Sequence, residues 1–332
     1  LHGLPLGVKD IFDTRDLPTE CGSPIFAGHR PRVDAAAVAL CREAGAVVIG
    51  KTVTTELANM TAGATRNPFN PAHSPGGSSS GSAAAVADFM VPLSLGTQTA
   101  GSLIRPAACC GIAGFKPSFG RVPRAGVKPN ADSMDTVGGF GRTVADAALL
   151  ASVLAGDARL RTQAPPETLR IGLVQGPDWH QAEEDVIACW ERAVRALTPQ
   201  AARCEDAPLP PDFADVAAVQ ATIQAAETAQ ALAFEHAVAP GLAAIVQHGL
   251  DLERSLHEGG CRACLRRARV LRGLPKQLLA AAVGLVHRHV TELQQADAQE
   301  AHELDGLRGF LELTALGRAA RLDLLGVGAL LG

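Results

Sequence analysis

Apolar positions along the first 155 residues fall into short runs of two kinds. Four of them, "LPLGVKD" (4–10), "AVVIGK" (46–51), "VPLSLGT" (91–97) and "IAGFKPS" (112–118), have strand length and are apolar at nearly every position. Such runs predict strands of a sheet buried on both sides. Between and after them lie "DAAAVALCREAG" (34–45), "SAAAVADFM" (82–90) and "TVADAALLASVLAG" (143–156), rich in strong helix formers. These predict helices, the first ending near Gly45. Strands separated by helices predict an α/β layered fold with helices on both faces. A further strand, "LRIGLV" (169–174), and an amphipathic helix, "EEDVIACWERAVRAL" (183–197), follow a boundary at "RTQAPPETLR" (161–170). From about residue 212 the pattern is almost wholly helical, as in "DVAAVQATIQAAETAQALAFEHAV".

Composition narrows the functional classes. With 332 residues, 47% hydrophobic and 19% charged, the chain can bury one sizeable core or two. A formal net charge of −4 gives no electrostatic case for nucleic acid or an anionic membrane surface. No apolar run reaches the roughly 20 residues needed to span a bilayer. Eight cysteines in a chain of this length are too sparse for a disulfide framework, so reduced thiols and a cytoplasmic location are expected. Cys261 and Cys264 form a CxxC inside "GGCRACLRRARVLRG", which reads as a helix, and no second ligand pair stands nearby. A metal site is therefore not expected.

Three motifs compete for the chemistry. "GAVVIGKT" (45–52) satisfies the phosphate-loop pattern, yet Val47, Val48 and Ile49 form a stiff β-branched run that favours a strand over a compact loop. "GSSSG" (77–81) satisfies the nucleophile-elbow pattern with Ser79 at its centre. That turn must follow a strand directly, and the preceding "RNPFNPAHSPG" carries three prolines. The third candidate joins "GVKD" at Lys9, "PGGSSSGSAAAVA" around Ser78 and "GTQTAGSLIRPA" around Ser102. Strand ends on one edge of a sheet converge even when distant in sequence, so the order Lys…Ser…Ser suggests a Ser–Lys nucleophilic device.

At these residues the sequence resembles the amidase signature family of serine hydrolases. The likeness runs from "GLPLGVKD" through "GKTVTTELA", "RNPFNPAHSPGGSSSGSAAAVA" and "LGTQTAGSLIRPAACCGIAGFKPSFGRVP" to "DSMDTVGGFGRTVADAALLASVLAG", covering residues 1 to about 157. The resemblance implies an α/β fold with a mixed central β-sheet, helices on both faces and a helix-rich C-terminal part. It makes 1–160 the core that carries the catalytic residues and 161–332 the helix-rich remainder of the same domain. It implies a serine amidase acting on a small-molecule carboxamide through an acyl-enzyme, with no cofactor, and a tendency towards homodimers. Ser102 is then the nucleophile, Ser78 a bridging serine held through a cis peptide bond, and Lys9 the ultimate base. The backbone N–H groups of Thr99, Ala100, Gly101 and Ser102 form the oxyanion hole. Such a device needs a neutral Lys9, whose ordinary pKa near 10.4 must fall by several units through burial beside groups such as Val8.

Departures from the family pattern shape the expectations further. Ala100 stands where many members carry glycine, which is tolerable only at negative φ. Gln98 and Thr99 occupy the region where amidotransferase members carry an aspartate, and Arg105 follows Ser102 by three residues instead of two. These differences favour a stand-alone amidase over a tRNA-dependent amidotransferase subunit of the A type. Arg105 could meet a substrate carboxylate or a structural ion pair. Cys109 and Cys110 read as core thiols, and Ser80 or Ser82 as a helix cap. The chain reaches Lys9 without the preceding helices that the family shows, and "FLELTALGRAARLDLLGVGALLG" replaces the expected Pro/Gly-rich strands after about residue 270. The reading is therefore of a shortened, divergent chain, with a catalytically inactive remnant as the alternative.

Overall fold

The computed structural model of the chain describes residues 1–161 and 169–239. Its first half follows the predicted rhythm. Strand β1 (Pro5–Lys9) leads to α1 (Ala36–Glu43), β2 (Val47–Thr52), α2 (Ser80–Ala87) and β3 (Leu93–Gln98). Helix α3 (Ile104–Cys109), β4 (Ala113–Phe115), β5 (Thr136–Gly141) and α4 (Val144–Ala155) complete it. The five strands form one sheet in the order β2-β1-β3-β5-β4. Strand β1 runs parallel to both β2 and β3, whereas β5 is antiparallel to β3 and β4. The sheet is mixed, as the resemblance implies.

Helices cover both faces. Helices α1 and α4 pack over a core that includes Leu6, Val8, Leu93, Leu95, Val137 and Leu150. Each such side chain contributes about 1.5–3 kcal/mol by burial. Helices α2 and α3 cover the other face with Val86, Leu103, Ala107 and Phe140. A capping box between Thr143 and Asp146 starts α4, and Gly156 in the left-handed region ends it.

The small residues of α2 have a packing reason. A Cβ added at Gly81 would lie 2.3 Å from the Val53 backbone nitrogen, so only glycine lets this helix settle against the end of β2. Nearby hydroxyls then bond across the gap. Ser82 Oγ donates to Leu95 O at 2.8 Å, Ser94 Oγ to Ser82 O at 2.7 Å, and Ser80 Oγ to Val53 O at 3.2 Å. Neither Ser80 nor Ser82 caps the helix; its N-cap is Ser79, which makes no side-chain cap bond.

Two further departures from the sequence reading have simple causes. Strand β2 is the sheet edge, and Val47 and Ile49 stay 51% and 55% exposed instead of buried on both sides. Strand β5 (TVGGFG) was not foreseen, because paired glycines disfavour strands in general. Here they are required by close approach: a Cβ on Gly138 would meet Phe115 O at 2.2 Å, and one on Gly139 would meet Leu150 Cδ2 at 2.3 Å. Beyond residue 168, β6 (Arg170–Leu173), α5 (Glu184–Leu197) and β7 (Arg203–Asp206) follow, with β6 and β7 paired in a separate parallel sheet. Helices α6 (Val216–Ala231) and α7 (Ala233–Val238) match the helical stretch expected after residue 212. Most of the "RTQAPPETLR" boundary, the Cys261–Cys264 motif and the divergent C-terminal segment lie outside the described residues.

Candidate active site

Sheet topology brings the distant motifs together. Parallel strands β1 and β3 end at one edge of the sheet, and β5, antiparallel to β3, begins there. Lys9 closes β1, the Thr99–Ser102 turn follows β3, and Ser78 stands just before α2. In open α/β sheets this carboxyl edge is where ligands bind.

Lys9 is fully buried, at 0% exposure. Its Nζ lies 2.8 Å from Ser78 Oγ and 2.8 Å from Thr97 Oγ1. Among the described residues it has no carboxylate at ion-pair distance. Desolvation lowers its pKa from 10.5 to about 7, opposed by the field of Asp135. Burial in turn pushes the Cys21 thiol up to about 12.

The Gly77–Ser78 peptide is cis. Ser78 itself is buried, and its carbonyl accepts from Thr55 N at 3.1 Å. The next residue ties this segment to the nucleophile turn, since Ser79 N donates to Ser102 O at 3.3 Å. Ser79 is spoken for as well: its Oγ donates to Thr97 O and accepts from Thr97 N. Ser102 is half-buried, and its hydroxyl makes no hydrogen bond among the described residues.

The turn is organised by Gln98. Its Oε1 accepts from the backbone N–H groups of Leu103 and Ile104 at 2.9 and 3.0 Å, satisfying the start of α3. The N–H groups of Thr99, Ala100, Gly101 and Ser102 donate no hydrogen bond among the described residues. Four adjacent free donors beside a serine hydroxyl can receive developing negative charge. Ala100 does not adopt positive φ, so its methyl is accommodated.

Arg105 reaches back over this turn. A Cβ on Gly101 would lie 2.8 Å from its Nη2, and its Nη1 is 3.5 Å from Gly77 O. It forms no ion pair among the described residues, and its Nε is buried without a partner. Cys109 and Cys110 are buried, as expected of core thiols. Lys51 of the phosphate-loop match lies in β2 and is held by Asp10, Phe12 O, Pro18 O and Thr19 Oγ1.

Comparison with known proteins places the chain in a family. The Amidase family profile matches residues 1–281. The chain belongs to the amidase family. It is 44% identical over 218 residues to the A-type subunit of glutamyl-tRNA(Gln) amidotransferase from Acidothermus cellulolyticus, covering 59% of this chain and 43% of that one. A solved amidase superposes with a TM-score of 0.69 at 32% identity, over 84% of this chain and 64% of the other. The peptide amidase of Stenotrophomonas maltophilia gives a TM-score of 0.61 at 31% identity, over 97% and 65%. The chain spans less than half the length of the curated relative. Within the described residues no helix is long and apolar enough to cross a membrane.

The candidate site also contains residues the sequence did not single out. Thr97 is the second partner of Lys9. Thr99 donates to Asp135, which also accepts from the N–H groups of Asn130 and Ala131. The "DSMD" segment of the family likeness was the one signal that pointed to Asp135.

Proposed function

We propose that the chain is a serine amidase in which Ser102 attacks a carboxamide carbonyl, Ser78 relays the proton and Lys9 receives it. The observation that carries this reading is a fully buried lysine whose hydrogen-bond partners, among the described residues, are two hydroxyls. Neutral Lys9 takes the Ser78 proton as Ser78 takes that of Ser102, and the Ser102 Oγ–carbon bond forms. The N–H groups of residues 99–102 hold the oxyanion. The proton returns through Ser78 to the leaving nitrogen, the C–N bond breaks, and amine or ammonia departs. Water, deprotonated by the same relay, then cleaves the ester and restores Ser102. A small-molecule amide is the substrate class, with no cofactor taking part. The Arg105 guanidinium, without an ion pair among the described residues, suits an amide bearing a carboxylate. Arg105→Leu should then remove any preference for anionic over neutral amides in a paired substrate series.

A fluorophosphonate probe tests the reading. One adduct is expected by intact mass, mapped to Ser102, absent in Ser102→Ala and strongly slowed in Lys9→Ala. A folded chain that takes no label, or takes it at Ser79, overturns it; the first outcome leaves an inactive remnant. A second reading has its own support in the 44% identity to one component of an amidotransferase. It is tested by co-purification: a stable complex with partner subunits and transfer of ammonia to charged tRNA would replace the stand-alone amidase.

A further inference from the structure

Asp135 has no part in the mechanism above, yet the fold places it against Thr99, at the head of the Ser102 turn. Gln98 pairs with Thr136 in antiparallel register, so Asp135, one residue before β5, reaches the same sheet edge as Thr99. Its Oδ1 accepts from Thr99 Oγ1 at 2.6 Å, and its Oδ2 from the N–H groups of Asn130 and Ala131 at 2.8 and 3.0 Å. Thr97, Thr99, Asn130 and Asp135 line one small cavity, and Thr97 is the hydroxyl that shares Lys9 with Ser78. A second clamp acts on the Thr99 hydroxyl, since Asn130 Nδ2 lies 3.4 Å from Thr99 Oγ1 while Thr228 Oγ1 donates to Asn130 Oδ1.

We propose that Asp135 is a positioning residue of this site: its carboxylate anchors the head of the Ser102 turn through Thr99 and places a fixed negative charge near Lys9. The proposal rests on the amidase reading of Lys9 and Ser102. Among the described residues, the other charged groups around the two are paired. Of the cations lining the cavity, Arg124 is paired with Asp132 and Lys128 with Glu235. Asp10, next to Lys9, is bound by Lys51. Cys21 stays protonated near neutrality. Burial raises the Asp135 pKa, while the Thr99, Asn130 and Ala131 hydrogen bonds and Arg124 act to keep it ionised. Asp135 thus supplies the anion that keeps Lys9 from losing its proton affinity altogether in an apolar site.

The test follows Lys9 directly. The full chain is labelled with 13Cε-lysine, and the Lys9 resonance is titrated in the wild type, Asp135→Asn, Asn130→Asp and Thr99→Val. Losing the anion disfavours the ammonium, so Asp135→Asn should lower the Lys9 midpoint by about one pH unit. Asn130→Asp adds an anion to the same cavity and should raise it by a similar amount. Thr99→Val keeps the charge and should leave the midpoint in place, while slowing Ser102 phosphonylation about tenfold through the loosened turn. Unmoved Lys9 midpoints overturn the proposal, as a purely structural Asp135 would alter melting alone; if Asp135→Asn fails to fold, Asn130→Asp decides. The titration needs no turnover. Shifted midpoints in a chain that takes no label would therefore strike the amidase reading and leave the Asp135 assignment standing.

Discussion

Lys9 and Lys51 lie on neighbouring parallel strands, with Val8 opposite Lys51 and Lys9 opposite Thr52, yet they occupy opposite kinds of site. Lys51 meets a carboxylate at 2.9 Å and three further oxygens between 2.7 and 3.1 Å, a shell that only an ammonium satisfies. Lys9 meets two hydroxyls and no carboxylate at ion-pair distance among the described residues. A hydroxyl can accept from an ammonium or donate to a neutral amine, so the Lys9 site tolerates both protonation states. Desolvation then brings its pKa to about 7. The same residue type, one strand apart, becomes a structural cation in one place and a titratable base in the other. What separates them is a carboxylate in direct contact, which Lys51 has and Lys9 lacks among the described residues.

The largest expected effect breaks that contrast on the chemical side. Lys9→Met should slow phosphonylation of Ser102 by about 10³-fold, within the range of a lost general base. Lys51→Met, in protein that remains folded, should change it by no more than a few-fold. Stability should move in the reverse direction. Burying an amine whose pKa falls from 10.5 to about 7 costs the folded state most below pH 7, where both states hold the proton and the folded ammonium is desolvated. The penalty shrinks as pH rises from 7 to 10.5, because there the unfolded chain alone is protonated. Urea unfolding at pH 7 should find Lys9→Met more stable than wild type by about 3 kcal/mol, allowing for two lost hydrogen bonds. The wild type should also gain stability between pH 7 and 10, and that gain should be missing in the variant. Lys51→Met leaves Asp10 without its cation and should lose about 2 kcal/mol.

A smaller effect is expected at the turn that serves Lys9. Gln98→Leu removes the acceptor for two N–H groups at the start of α3. Thermal melts should show a loss of about 1–2 kcal/mol, with labelling of Ser102 slowed about tenfold. An unchanged labelling rate would mean that the oxyanion turn holds itself without Gln98.

Much of this was legible in the sequence. The strands β1, β2 and β3 and the helices α1, α2 and α4 announced themselves by length and period, although β2, at a sheet edge, leaves Val47 and Ile49 exposed. The convergence of Lys9 and Ser78 also followed from the motifs and their order. Strand β5 was hidden because the contacts that demand Gly138 and Gly139 are tertiary, and β7 because "RCED" shows no apolar alternation. Hydroxyl roles were read too locally: Ser80 and Ser82 bind strand carbonyls instead of capping their helix. Thr97 and Asp135 escaped notice, and Gln98 reads in the sequence only as a departure from the family pattern, because each acts through a partner whose position only the sheet register defines.

The central claim is that neutral Lys9 drives Ser102 through Ser78, and the pH dependence of phosphonylation at Ser102 tests it most directly. The rate in the wild type should rise with pH along a single acid limb whose midpoint lies near 7, and that limb should vanish with Lys9→Met. A rate that is flat across neutrality, or that climbs only near the ordinary lysine pKa, would contradict the account.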